Sequence, residues 1–149
     1  MSEKNLHFQI ATPERVVFDA PNVESITLPT KMGEITVLPN HLPLVSSLVP
    51  GEVRVKIGNE EISMAVSGGF IEVRPGKVVV LADTAERAEE IDEIRAEEAR
   101  QRAKDLMEKK QVEAVDYTAL AAKLEKELAR LKVVRKRRDR KPLGPRIEE

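Results

Sequence analysis

The chain has 149 residues, with 25 Lys and Arg against 26 Asp and Glu, which leaves room for one ordinary domain and an appendage but not for two full domains. It has no cysteine and two histidines, His7 and His41, so disulfides and thiolate metal sites are excluded and a zinc site would need unusual help. No apolar run approaches the roughly 20 residues of a membrane helix, the longest covering residues 78–82, and residues 1–10 lack the apolar core of a signal peptide, so a soluble chain that starts in the cytosol is expected.

From residue 6 to residue 82 apolar and polar positions alternate, as in Leu6, Phe8 and Ile10, then Val53, Val55 and Ile57, then Ile62, Met64 and Val66, then Ile71 and Val73. A period of two puts every second side chain on one face, which is the pattern of half-buried strands. Turn residues interrupt these runs at Pro21, Pro29, Gly33, Pro39, Pro43, Pro50-Gly51, Gly58-Asn59, Gly68-Gly69 and Pro75-Gly76, so the strands are short and many. Gly58-Asn59 between two alternating runs predicts a tight hairpin. Short, closely spaced strands with no helical stretch among them predict an antiparallel β-sandwich or flattened barrel over residues 1–83.

The aromatic set is Phe8, Phe18, Phe70 and Tyr117. That is too few for a platform that stacks single-stranded nucleic acid or sugars, and the phenylalanines are expected in the core. His41 lies in the proline-bracketed turn Leu38-Pro39-Asn40-His41-Leu42-Pro43-Leu44, where the lack of a partner base favours a structural or contact role over catalysis.

The periodicity changes at residues 81–86. Asp83 and Glu86 stand three apart, the spacing at which Asp83 caps the free amides of a helix and Glu86 reaches back to it, so a helix is expected to open here. Strong helix formers dominate residues 85–110, and Lys109-Lys110 suits the negative pole of that helix. Asp92, Arg95, Ala99 and Arg102 recur at spacings of three and four, beside Ile91, and share one face. Two arginines on the stripe suit phosphate oxygens, while its alanines leave room for a flat ring or another helix, so a nucleotide fits the pattern. The plainer reading is a surface ion pair between Asp92 and Arg95.

Residues 111–115 read as a connector and Asp116 as the next cap. Leu120, Leu124, Leu128 and Leu131 follow at spacings of four, four and three, a single leucine seam on an amphipathic helix. Two helices with a short link make an antiparallel hairpin over residues 84–135. Ala88, Ala96, Ala99 and Ala103 give the first helix little to bury, so the hairpin is expected to be marginal, resting on the leucine seam and on docking elsewhere, and able to open. Residues 131–149 carry eight Lys and Arg against three Asp and Glu, and the run Arg135-Lys136-Arg137-Arg138-Asp139-Arg140-Lys141 stops at Pro142. Such a cationic end calls for an anionic partner or for solvent. The run could prolong the second helix until Pro142, Gly144 and Pro145 end it, and residues 136–149 are expected to be a basic tail, disordered beyond Pro142.

Several motifs occur in a fixed order: Leu38-Pro39-Asn40-His41-Leu42-Pro43-Leu44, Ser67-Gly68-Gly69-Phe70, Leu81-Ala82-Asp83-Thr84-Ala85-Glu86 and Ile91-Asp92-Glu93-Ile94-Arg95-Ala96. Together they make residues 4–134 resemble the epsilon subunit of bacterial F-type ATP synthases. The resemblance implies a ten-stranded sandwich followed by a two-helix arm, in a non-catalytic subunit of the rotating central stalk. The implied partners are the gamma subunit, the c-ring and the alpha and beta subunits. The implied location is the cytoplasmic face of the bacterial cell membrane, held there only through the complex, which couples ion flow to ATP synthesis. The loop Lys31-Met32-Gly33-Glu34 matches the one that relatives turn toward the c-ring, with Thr36 where a glycine is common. Met32, Gly33, Glu34 and His41 are accordingly the implied c-ring and gamma contacts.

In that family the arm is either compact on the sandwich or extended along gamma, where its second helix meets an acidic segment of the beta subunits and blocks ATP hydrolysis. The implied inhibitory cations here are Lys123, Lys126, Arg130, Lys132 and Arg135. Some members bind ATP in the compact state through the motif that here includes Ile91, Asp92 and Arg95, with further contacts at the positions of Glu86, Arg102, Lys126 and Arg130. Lys126 stands where ATP-binding relatives have arginine, and lysine is a poorer clamp for phosphate. No cofactor is required, and ATP enters as a regulatory ligand that shifts the arm toward the compact state by its preference for it.

Two other classes are expected to fail. An enzyme lacks its parts here, since the chain has no G-x-x-x-x-G-K phosphate loop, no paired nucleophile and base, and no metal cluster. A nucleic-acid-binding module would rely on the cations of residues 135–141 alone, beside few aromatics and an acidic remainder.

Overall fold

The structure, a computed structural model, describes residues 5–109 and 114–140. Ten strands come first: β1 (Leu6–Ala11), β2 (Val16–Val23), β3 (Ser25–Thr30), β4 (Gly33–Val37), β5 (Leu44–Leu48), β6 (Gly51–Ile57), β7 (Glu60–Val66), β8 (Gly69–Arg74), β9 (Lys77–Ala82) and β10 (Ala85–Arg87). Two helices follow, α1 (Glu93–Glu108) and α2 (Ala114–Arg140). The strands pair in the order β10-β7-β6-β3-β5-β8-β9-β1-β2, with β4 on β3. Between β3 and β5 the ladder narrows to the single pair Thr30 and Leu48. There the sheet folds over, and its two halves enclose one apolar core.

Alternation in the sequence becomes alternation of burial. Leu6, Phe8 and Ile10 of β1 are buried while the residues between them are half-exposed. Phe8, Ile10, Ile26, Leu28, Val53, Val55, Met64, Ile71, Val78 and Val80 are all fully buried, and each such side chain contributes about 1.5–3 kcal/mol by leaving water. The expected hairpin is present: Ile57 pairs with Glu60 across Gly58-Asn59. Gly58 has φ +58°, the left-handed value that a two-residue turn needs at its first central position. Every ladder is antiparallel except β1 on β9, which run parallel. That pair lies far apart in sequence, so no tight turn constrains its direction.

Several sequence expectations fail where tertiary contacts outweigh local signals. Asp83 and Glu86 do not open a helix. Residues 85–87 instead form β10, with Ala85, Glu86 and Arg87 opposite Val66, Ala65 and Met64 of β7, so the strand domain runs past residue 83. The helix opens nine residues later, where Asp92 Oδ1 accepts a hydrogen bond from the Arg95 amide at 3.1 Å. Backbone groups at the open edge of β7 need partners, and the three-residue strand supplies them. Likewise Asp116 lies in the first turn of α2 rather than at its cap, where its charge still suits the positive pole. Phe8 and Phe18 pack with centroids 5.9 Å apart, but Phe70 is 61% exposed on the outer face of β8, contrary to its expected place in the core.

The arm lies folded on the strand domain, with α2 between α1 and the β6–β7 hairpin. This position replaces the expected single leucine seam. Leu131 is 2% exposed, Leu120 and Leu124 are half-buried, and Leu128 is 47% exposed. Val133, fully buried, joins Ala65, Ala88 and Ile91 in a small second cluster under the arm. A helix covered on two sides buries two stripes rather than one. Of the expected connector at residues 111–115, Ala114 and Val115 belong to α2 instead, and residues 111–113 lie outside the described residues, as does the tail from Lys141 onward with its stop at Pro142 and the disorder expected beyond.

Candidate functional site

The junction of β10, the turn into α1 and the middle of α2 gathers part of the expected nucleotide site. Glu86 projects from β10 toward Arg130 of α2, whose Nη2 donates to Glu86 Oε1 at 3.3 Å and whose Nε lies 2.6 Å from Glu86 Oε2. That Nε is close but poorly aligned and makes no hydrogen bond. Arg130 Nη1 also donates to Glu127 Oε2 at 2.7 Å, and Glu127 is 4% exposed. Burial pushes the Arg130 pKa down, but the Glu127 hydrogen bond and the Glu86 and Glu127 charges outweigh it, so the guanidinium is held charged. Lys126, one turn earlier, lines a cleft of about 290 Å3 with Thr12, Arg15, Asp83, Thr84 and Glu86.

The other half of the expected site lies apart. Ile91 is buried against Ala65, Ala88 and Val133. Asp92 caps α1, and Arg95, with its side chain 84% exposed, has its Nε 3.5 Å from Asp92 Oδ2. Arg102 is exposed two turns farther along α1. Glu86, Lys126 and Arg130 therefore converge, whereas Arg95 and Arg102 face solvent. An anion at the cleft would meet Lys126 and Arg15, but to reach Arg130 it would have to displace two carboxylates.

At the far end of the sandwich, Met32 is 97% exposed at the tip of the β3–β4 turn, beside Gly33 and Glu34. Thr30 Oγ1 steadies that turn by donating to Gly33 O at 2.7 Å, and Glu34 pairs with Arg54 at 2.9 Å. His41 is half-buried and holds its own loop, with Nδ1 2.7 Å from Leu42 O and its amide donating to Leu38 O. Leu38 and Leu42 around it are 55% and 79% exposed.

The implied inhibitory cations are largely engaged within the chain. Arg135 donates to Glu93 at 3.2 Å and Glu97 at 3.0 Å on α1, Lys132 lies 3.9 Å from Glu52, Arg130 is held as above, and Lys123 is exposed. The basic end as far as Arg140 was expected to face solvent or an outside anion. It prolongs α2 and meets carboxylates of its own chain instead: Lys136 reaches Glu52 and Glu61, Arg137 reaches Glu89, Arg138 reaches Glu93 and Arg140 reaches Glu61. Glu52 is the acid at the centre. Its side chain is 1% exposed and accepts from Ser63 Oγ and Lys136 Nζ at 2.9 Å each. Burial raises its pKa, yet the Lys136 and Ser63 hydrogen bonds and the Lys136 and Arg54 charges outweigh burial and hold it below the usual carboxylate value.

Two features escaped the sequence reading. Glu52 falls at a polar position of an alternating strand, and nothing local marks it as buried. An apolar patch of Val45, Phe70 and Leu81, 73%, 61% and 60% exposed, covers the outer face of β5, β8 and β9. Phe70 and Leu81 are directly opposite one another, beside a shallow cleft of about 240 Å3 that includes Ile71 and Val79. Its signal was present, because the unbroken apolar run Val78-Val79-Val80-Leu81 makes both faces of β9 apolar rather than one. Among the described residues no group of His, Asp and Glu could hold a metal ion, and no helix is long and apolar enough to cross a membrane.

Residues 5–88 match the family described as ATP synthase, Delta/Epsilon chain, beta-sandwich domain, and residues 89–135 match ATP synthase, Delta/Epsilon chain, long alpha-helix domain. The chain belongs to the ATP synthase delta/epsilon chain family. Among its relatives, the ATP synthase epsilon chain of Dehalococcoides mccartyi is 50% identical over 133 residues, which is 89% of this chain and 94% of the relative. The ATP synthase epsilon chain of Chloroflexus aggregans is 45% identical over 128 residues, 86% of this chain and 91% of the relative. A chain in the cryo-EM structure of the Euglena gracilis mitochondrial ATP synthase, comprising OSCP, F1 and c-ring, shares the fold with a TM-score of 0.77 at 24% identity, over 89% of this chain and 82% of that one. Both halves of the family pattern are thus present in order, and α2 continues through Arg140, beyond the end of the match at residue 135.

Proposed function

We propose that this epsilon-family chain is a non-catalytic subunit of the ATP synthase rotor, peripheral to the cytoplasmic face of a bacterial membrane, that helps couple ion flow to ATP synthesis and restrains ATP hydrolysis through its arm. The sandwich docks permanently. Its Val45–Phe70–Leu81 face suits an apolar surface on gamma, since a contiguous exposed patch of large apolar side chains marks a protein interface, and Met32, Gly33, Glu34 and the His41 loop suit the c-ring end. The arm moves. When it extends, Lys123, Lys126, Arg130, Lys132 and Arg135 meet an acidic surface of the beta subunits, and ATP bound at the junction favours return to the compact state.

The observation that carries this reading is the pairing of α2. Its cations Arg130, Lys132 and Arg135 have carboxylate partners in the compact form, so an acidic surface elsewhere can replace those partners at modest net cost. The test is ATP hydrolysis by the reconstituted complex carrying the full chain, a chain ending at residue 91, or a chain whose arm is tied to the sandwich by an engineered disulfide, which the absence of native cysteine makes unambiguous. Truncation and tying should both raise hydrolysis, and reduction of the disulfide should restore restraint. Equal hydrolysis in all three would refute the inhibitory arm. For the nucleotide, calorimetric titration of ATP into the full chain should show saturable binding that Arg95→Ala and Arg130→Ala weaken. No heat at millimolar ATP removes the sensing role and leaves the rotor role standing.

A further inference from the structure

We propose that the last turns of α2, from Lys136 to Arg140, form an intramolecular clamp that sets how firmly the arm is held compact, with the buried Glu52 carboxylate as its anchor and Glu61 as its second hold. The proposal rests on the arm being mobile, as set out above. The family's helical match ends at residue 135. The clamp thus lies outside the stretch that the helical match covers.

The geometry is that of a lock with one deep and several shallow contacts. Lys136 Nζ reaches between β6 and β7 to Glu52 Oε1 at 2.9 Å and Glu61 Oε1 at 3.5 Å. Arg140, one turn on, pairs with Glu61 Oε1 at 2.9 Å. On the other side of the helix, Arg137 reaches Glu89 at 3.4 Å in the hinge, and Arg138 reaches Glu93 at 3.3 Å at the start of α1. One short helical segment thus ties together the sandwich, the hinge and the first helix. The exposed pairs are individually weak. Glu52 differs, since a carboxylate removed from water needs its partners. When the arm leaves, it keeps Ser63 Oγ at 2.9 Å and Arg54 Nη1 at 3.5 Å and regains water, so release is costly but not prohibitive. A cleft of about 410 Å3 lined by Glu60, Glu61, Ser63, Ala88, Lys136 and Arg140 admits solvent and salt beside the clamp. Ionic strength therefore bears on it directly.

The test uses the full chain, spin-labelled at Asn59→Cys on the β6–β7 turn and Ala122→Cys on α2, two exposed positions in a chain with no other cysteine. Distance distributions then give the ratio of compact to open arms. Lys136→Ala with Arg140→Ala, and separately truncation after residue 135, should each lower that ratio by roughly tenfold, equivalent to ~1.4 kcal/mol. Lys136→Arg should retain most of it, and Lys104→Ala on the exposed side of α1 should leave it unchanged. Glu52→Gln should match the double variant, with the melting of the sandwich followed in parallel to separate arm release from loss of fold. Raising salt to about 1 M, where the screening length falls to roughly 3 Å, should bring the parent chain toward the variants. Equal open populations in parent, double variant and truncated chain would overturn the clamp while leaving the mobile arm intact. A compact distribution that no variant and no salt concentration opens would overturn both.

Discussion

The strand domain and the arm are held by different forces. In the sandwich, Phe8, Ile10, Ile26, Leu28, Val55 and Ile71 meet across a dry interior with no water contact, and the stabilisation grows with apolar area. In the arm, α1 buries only Ala96 and Ala103, and much of the contact between α2 and its supports runs through ion pairs from Arg130 to Arg140. Apolar burial is not screened by salt and is hard to exchange for another partner. Ion pairs at a surface are sensitive to both, because another protein's carboxylates serve a guanidinium equally well. A part that must stay and a part that must move are thus distinguished by the chemistry of their contacts rather than by their secondary structure.

The sharpest break in that contrast is a cavity in the sandwich. Phe8→Ala should cost about 4 kcal/mol of global stability and shift the denaturant midpoint of strands and arm together, because the arm has no platform without the sandwich. Arg130→Ala should cost less, about 3 kcal/mol, and only in the arm. It leaves Glu127, 4% exposed, and Glu86 without their cation, so hydrogen exchange should quicken along α2 while β1, β6 and β9 stay protected.

Acid should act in the same direction on the arm. Glu52 has its folded pKa lowered from an ordinary 4.5, so its contribution is fully present above that value and is lost as pH falls through the lowered one. Glu61 is lowered too, the Arg140 and Lys136 contacts outweighing burial. The arm should stay compact from pH 8 down to about 5 and loosen below about 4.5, and Glu52→Gln should flatten that profile. The smallest effect on stability belongs to the outer apolar face. Phe70→Ser should change the melting free energy by no more than about 0.5 kcal/mol, since Phe70 is 61% exposed, yet should weaken assembly with the rotor in a pull-down or reconstitution. Unchanged assembly would remove that face from the docking surface.

The strands were readable because their signal is local. Alternation at Leu6, Phe8 and Ile10 and the Gly58-Asn59 turn each need only neighbouring residues, and each appears where expected. The candidate site was readable only in part. Motif spacing placed Glu86, Ile91, Asp92 and Arg95 near the hinge, but it placed Glu86 on a helix because Asp83 and Glu86 mimic a capping box. The competing claim on those residues, an open edge of β7, exists only after the sheet has formed. The leucine seam misled for a related reason: one stripe was counted for a helix that is covered on two sides, so Leu128 is left 47% exposed while Val133 is fully buried.

What the sequence determined by itself is what depends on neighbours along the chain: many short strands, two helices, no thiol chemistry, and a cationic end. What only the tertiary structure decided is where charge finds its partner. Nothing near Glu52 in sequence marks it as buried, and nothing near Lys136 names an acid 84 positions earlier as its partner. Coulomb attraction depends on distance in space and on the water excluded between the charges, and both quantities come into being only when α2 lies down on β6 and β7.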